Sequence, residues 1–180
     1  MQAFWAHGYE ATSMQALVDC MGIGRGSLYA TFGDKRRLFL SALGRYDAEF
    51  RDRWTARLAA EERPRAAISR AFREAAEAAA GGDMKGCLLV NTALEMAPHD
   101  PEIAAVVARA LEAMERFFEE RIRAGQAAGE IGAGVDPQDT ARALLALLAG
   151  IRVFARARPD PALVGGIAQL VEAGLLLTIG

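Results

Sequence analysis

The dipeptide Asp-Pro occurs three times, at Asp100-Pro101, Asp136-Pro137 and Asp160-Pro161, each time ahead of a stretch rich in alanine or leucine. An aspartate accepts hydrogen bonds from the free amides at a helix start, and proline is tolerated at the first helical position because its missing N–H is not needed there. Three helices are therefore predicted to begin near 101, 137 and 161. Pro64 marks another start, which Gly81-Gly82 ends. A further helix runs from near Cys87 to just before Pro98, and Gly129 to Gly134 is a loop. Strong helix formers dominate and β-branched runs are nearly absent, so no strand is required. Hydrophobic residues make up 52% of the 180, enough to build a core. The fold class read from this pattern is all-α, with about nine helices.

The first part of the chain is cut more finely. Gly8 ends a short first helix, Thr12 or Ser13 caps a second that runs to about Cys20, and Gly22 and Gly24 punctuate a tight turn. A third short helix runs to about Thr31, and Gly33-Asp34 opens a long fourth helix to about Leu58. Two short helices joined by a turn, the second rich in small polar groups, describe a helix-turn-helix. Met14, Leu17, Val18 and Met21 fall on one face of the first, and Ile23, Leu28 and Phe32 close the core from the second. The outward face of the second presents Arg25, Gly26, Ser27, Tyr29 and Thr31. An arginine reaches guanine edges or phosphates, hydroxyls serve phosphates, and Lys35 adds positive charge on the same side. Cys20 is expected in the core of this motif.

The string GYEATSMQALVDCMGIGRGSLYATFGDKRRLF, residues 8–39, resembles the DNA-binding domain of the TetR/AcrR transcriptional regulators. The resemblance lies in Gly8-Tyr9, the Thr12-Ser13 helix start, Leu28-Tyr29-Ala30-Thr31-Phe32, and Lys35 ahead of Leu38-Phe39. It implies that Arg25, Gly26, Ser27, Tyr29 and Thr31 face the major groove, with Thr12, Ser13 and Lys35 on phosphates. Thr31 stands where the family commonly has a histidine. By the same resemblance Met1 falls inside the first helix, whose front part and basic arm family members usually carry further upstream, so either the native chain has a longer N-terminus or this protein binds DNA weakly. The domains are then 1–57, a helix-turn-helix domain with its connecting helix, and 58–180, a larger helical domain for ligand binding and dimerisation.

Within 58–180 the helix from about 137 carries Leu144, Leu145, Leu147, Leu148, Ile151 and Phe154, and the last carries Leu163, Val164, Ile167, Leu170, Val171, Leu175 and Leu176. Both are more apolar than one buried face requires, so a partner is expected on a second side. The family pairs its last two helices with their copies. The expected dimer interface is Leu144, Leu148, Ile151, Ile167, Leu170 and Val171. Expected to line a ligand pocket are Phe72, Leu88, Asn91, Thr92, Glu95, Met114, Phe117, Phe118 and Phe154. Glu95 is either a ligand contact, a solvent-facing group or the partner of an arginine such as Arg121. Met84 and Met96 read as gap-fillers. Cys87 lies near a helix start and two residues from Lys85, both of which favour a thiolate, so redox sensing there stands beside burial as a small apolar residue.

The net charge of −2 does not itself point to nucleic acid. Residues 1–57 hold eight Lys/Arg and six Asp/Glu, a balance of +2, and the remainder holds thirteen and seventeen, a balance of −4. The longest run without a charged residue is the eleven residues 161–171. A membrane span needs about 20, so no membrane partner is expected and the location read is cytoplasmic. Two cysteines without a Cys/His cluster argue against structural zinc and a disulfide framework. No hydrolase, metalloprotease or nucleotide-binding motif is present, so no enzyme activity and no cofactor are expected. The function read is a ligand-responsive repressor, a homodimer on a palindromic double-stranded operator, released by a small-molecule inducer. The alternatives are a redox- or electrophile-sensing repressor acting through Cys87, or a helical ligand-binding module without DNA binding.

Overall fold

The computed structural model describes residues 1–61, 63–82, 85–158 and 160–176. Met84, one expected gap-filler, lies outside them, as do the side chains of Leu175 and Leu176. The described residues form α1 (Gln2–His7), α2 (Met14–Met21), α3 (Arg25–Phe32), α4 (Lys35–Tyr46), a π-helical segment (Asp47–Asp52), α5 (Arg53–Ala59), α6 (Pro64–Ala80), α7 (Leu88–Glu95), α8 (Pro101–Ala127), α9 (Pro137–Ala157) and α10 (Pro161–Leu176). Among them there is no strand, and none of their helices is long and apolar enough to cross a membrane. Counting α4 to α5 as one interrupted helix gives the nine that the punctuation predicts.

The three Asp-Pro starts work as expected. Asp100 accepts from the amides of Glu102 and Ile103 at 3.0 and 3.1 Å. Asp136 accepts from Asp139 at 2.8 Å, and Asp160 from Ala162 and Leu163 at 3.0 and 3.3 Å. The long fourth helix departs from expectation. It passes through the π-helical segment, where Arg51 pairs with Asp47 and Asp52. One extra residue per turn of this kind is invisible to a pattern of apolar spacing.

Two compact units emerge. The first is Met1–Asp52 with Cys87–Ala108, and the second is Arg53–Gly86 with Arg109–Gly180. This differs from a cut in chain order at 57/58, because α7 and the start of α8 are tied to the N-terminal helices by polar bonds described below. The first unit is built on Phe4, Leu17, Leu28, Leu38, Phe39, Leu43 and Tyr46, all buried. Phe4 and Tyr9 each meet the Phe39 ring at 5.0 Å, and Trp5 meets Tyr46 at the same distance. Such edge contacts add to area burial.

In the second unit α6 packs against both α9 and α10. Its buried face alternates alanines (Ala67, Ala71, Ala75, Ala79) with Ile68 and Phe72, so two helices approach it closely. Phe72, Phe118, Ile122 and Ile151 are fully enclosed in the same cluster. At its edge, the Glu74 carboxylate receives Trp54 Nε1 at 2.9 Å, two nitrogens of Arg57 at 2.5 and 2.6 Å, and Arg70 Nε at 2.9 Å. This joins α5 to α6. The Arg57 guanidinium above all holds the Glu74 carboxyl down at about 2.

Two outcomes follow for stability. Phe118→Ala should cost about 3–5 kcal/mol in urea unfolding, since it empties a fully enclosed site. A carboxylate with a lowered folded-state pKa stabilises above its ordinary value and loses that contribution as pH falls through the lowered one. The Glu74 contribution is thus complete above the ordinary 4.5 and lost toward about 2. Unfolding curves across that window should show a shallower loss of stability in Glu74→Gln than in the parent chain.

Candidate nucleic-acid interface

The helix-turn-helix is set up by local chemistry. Ser13 Oγ accepts the Ala16 amide at 3.0 Å and starts α2, and Gly22, at φ 65, ends it in the left-handed conformation. Gly24 then starts α3 without a side-chain cap. Leu28 is the one fully buried residue of α3, while Arg25, Gly26, Ser27, Tyr29, Ala30 and Thr31 are exposed. A Cβ added at Gly26 would meet nothing within 4 Å, so the first turn of α3 is open to an approaching surface. The Arg25 guanidinium lies 5.8 Å from the centre of the Tyr29 ring and has no carboxylate partner among the described residues. Tyr29 is 41% exposed, unusual for so large a ring.

The expected phosphate contacts divide. Ser13 is exposed at the start of α2. Lys35 is half-buried, 4.3 Å from the centre of the Tyr9 ring, and donates to the Glu10 carbonyl at 3.4 Å. It still has two donors to offer. Thr12 must be corrected: it is 2% exposed, and its hydroxyl donates to the Gly8 carbonyl at 2.6 Å, so it closes the α1–α2 loop. Its neighbour Ser13 takes the capping role that the sequence left open between the two. Arg37 was missed. It is 73% exposed on α4, with Asp34 as an ion-pair partner 3.9 Å away, and the run Lys35-Arg36-Arg37 was the available signal. Arg36 in that run is committed elsewhere, to Asp100 at 2.6 and 2.9 Å and Glu102 at 2.7 Å.

Two of the expected interior residues are on the surface. Met21 is 40% exposed, and Cys20 is exposed rather than in the core. Both lie in the last turn of α2, three and four residues beyond Leu17, the buried residue of that helix, where the packed face of the helix ends.

Two family models cover the chain. The model for bacterial regulatory proteins of the tetR family matches residues 1–42, and that for the tetracyclin repressor-like C-terminal domain matches residues 60–171. The chain belongs to the TetR family. The HTH-type transcriptional repressor ComR of Escherichia coli is 32% identical over 158 residues, covering 87% of this chain and 75% of ComR. An uncharacterized HTH-type regulator of Bacillus subtilis, YezE, is 36% identical over 73% of this chain and 68% of its own. The TetR family regulator CifR, solved as a cysteine mutant with a 26-base-pair operator, superposes with a TM-score of 0.82 at 27% identity, over 96% of this chain and 91% of CifR. The reduced form of E. coli NemR shares the fold, with a TM-score of 0.84 at 18% identity, over 99% and 94%.

Several other expected residues of this TetR-family chain do different work. Glu95 bonds backbone, not an arginine. Its carboxylate accepts the amides of Tyr9 at 3.0 Å and Glu10 at 2.9 Å, which ties the end of α7 to the loop before the helix-turn-helix. Gly8, at φ 84, makes this possible, because a Cβ there would lie 2.8 Å from a Glu95 oxygen. Spacing on α7 could not show that the partner is backbone more than eighty residues away. Phe154, on α9, is 39% exposed. Phe72, Met114, Phe117 and Phe118 are buried in the second unit, with Phe118 6.0 and 5.5 Å from the Phe72 and Phe117 rings. Leu88 and Thr92 are buried in the first unit, where the Thr92 hydroxyl donates to the Leu88 carbonyl at 2.7 Å; Asn91 is half-buried. Of the expected dimer residues, Leu144, Leu148, Ile151 and Val171 are buried within the chain, because α9 and α10 spend those faces on each other and on α6. Leu170 is 64% exposed and Ile167 half-buried. Cys87 is half-buried ahead of α7, its Sγ 3.6 Å from the Tyr46 hydroxyl that donates to it. Among the described residues no His, Cys, Asp and Glu group of three could hold a metal ion.

Removing the Glu95 carboxylate leaves two amides without their acceptor, at about 1–3 kcal/mol where the group stays buried. Glu95→Ala should therefore lower the unfolding midpoint and speed hydrogen exchange at Tyr9 and Glu10, with exchange in α6 unchanged. Amide exchange read by mass spectrometry or NMR checks it.

Proposed function

We propose that this chain is a DNA-binding repressor that acts as a homodimer on a palindromic operator and releases it when a small molecule binds the second unit. The observation that carries the reading is the outer face of α3. Arg25, Ser27, Tyr29 and Thr31 stand exposed in one short helix that is anchored by a single buried leucine. A helix so displayed fits the major groove, where a bidentate arginine–guanine contact is worth about 1–3 kcal/mol of discrimination. Ser13, Lys35 and Arg37 flank it and supply phosphate contacts that fix register without reading sequence. CifR, similar in fold and 27% identical, has been solved on operator DNA, and ComR is a repressor.

A dimer suits this use, since two α3 helices must lie about 34 Å apart to enter successive major grooves. Leu170, Phe154 and Val153, exposed on α9 and α10, are the apolar groups available to a second copy. Release then requires a ligand that binds one arrangement of the dimer better than the other.

Selection of duplexes from a random pool tests the reading. The expected product is a two-fold symmetric site with half-sites one helical turn apart. Arg25→Ala should weaken binding to it about tenfold or more and relax preference at one base per half-site. A pool that shows no enrichment over many rounds contradicts the proposal.

A further inference from the structure

The cations of α8 are not treated alike. Those on its outer side are exposed and face glutamates one turn away: Arg116 with Glu112 at 4.0 Å, and Arg123 with Glu119 at 2.7 Å. Arg121 is on the opposite side. Phe117 and Phe118 precede it by a turn, Gly125 follows by a turn, and Ile122 adjoins it, and all four are buried. Its Nε is itself buried and makes no hydrogen bond. Positions three and four away on the helix are Phe117, Phe118, Ala124 and Gly125, so the helix offers it no carboxylate.

Several carboxylates of the second unit are engaged with other arginines. Glu115 and Asp139 pair with Arg142, Glu130 with Arg63 and the Arg65 amide, and Glu74 with Arg57 and Arg70. Arg121 as a residue is half-buried, so the cost falls on this one donor, which is closed off from water without an acceptor. Nothing in packing requires a cation at this position, and an apolar residue of similar size would fill it at lower cost.

We propose that Arg121 anchors the carboxylate of a small ligand with an apolar body, held on the buried face of α8 in the second unit. The inference rests on the ligand-release reading above and names the chemical class of the ligand. The planar guanidinium presents parallel N–H groups that match the two oxygens of a carboxylate. The surroundings of Arg121 on that face, built on Phe117, Phe118 and Ile122, are apolar and favour an apolar remainder over a sugar or a polyanion.

The test is thermal unfolding of the full chain with propionate, hexanoate and benzoate, and with the corresponding uncharged amides, beside operator binding on the same samples. The carboxylates should raise the midpoint and the amides should not. Arg121→Met should raise the midpoint of the ligand-free protein by removing the buried, unsatisfied Nε, and should abolish the response. Arg121→Lys keeps the charge without the fork and should respond more weakly. The site is overturned if no carboxylate shifts the midpoint up to tens of millimolar, if the shift persists in Arg121→Met, or if that variant changes only the oligomeric state. Carboxylates that bind through Arg121 yet leave DNA bound uphold the site and count against the release reading. DNA release by the amides that survives in Arg121→Met overturns the site and leaves the release reading standing.

Discussion

Burial of Leu28 is what the functional surface depends on. An eight-residue helix is not stable by itself in water, and α3 has no side-chain cap at its start. It persists because Leu28 is fully enclosed where α3 packs on α2 and α4. With Leu28 as the anchor and Phe32 half-buried one turn on, Arg25, Ser27, Tyr29 and Thr31 are left exposed on the outer face. The exposure of Tyr29, and of Arg25 with no carboxylate partner among the described residues, follows from the same division of labour.

Around this helix the first unit is held by polar bonds between segments distant in sequence. Glu95 caps the loop ahead of α2, and Arg36 reaches Asp100 and Glu102 at the start of α8. Asp100 thereby does two jobs, capping its own helix and receiving Arg36, and the Arg36 guanidinium above all lowers its pKa to about 2. These bonds build α7 and the start of α8 into the same compact unit as the helix-turn-helix. A rearrangement of α7 or α8 would therefore act on the loop that positions α2 and on the first turn of α4, without needing a longer route.

The helices were legible in the sequence because their ends are written in short-range chemistry. Asp136, Asp160, Ser13 and Gly22 act within a few residues of themselves, and the start positions near 64, 101, 137 and 161 hold. The recognition face was legible for the same reason, since Leu28 and Phe32, one turn apart, mark the inner side of α3 and leave Arg25, Ser27, Tyr29 and Thr31 outside. What spacing could not show depends on the other end of the contact. Glu95 shares a helix face with Asn91, but its partners are the amides of Tyr9 and Glu10. Thr12 and Ser13 are adjacent and both suited to capping, and only the loop geometry assigns the cap to Ser13 and buries Thr12. Leu144, Leu148 and Ile151 were read as facing a second copy because α9 is apolar on more than one side; which side the chain keeps for itself is decided by α6, whose small alanines admit both α9 and α10.

The central claim is that the outer face of α3 meets DNA. Hydroxyl-radical footprinting of side chains by mass spectrometry tests it directly, because Tyr29 is 41% exposed and Leu170 in the second unit is 64% exposed. With a selected duplex at saturation, oxidation of Tyr29 should fall sharply relative to the free protein while Leu170 changes no more than in a scrambled-duplex control. Undiminished oxidation of Tyr29 on a bound duplex would contradict the account.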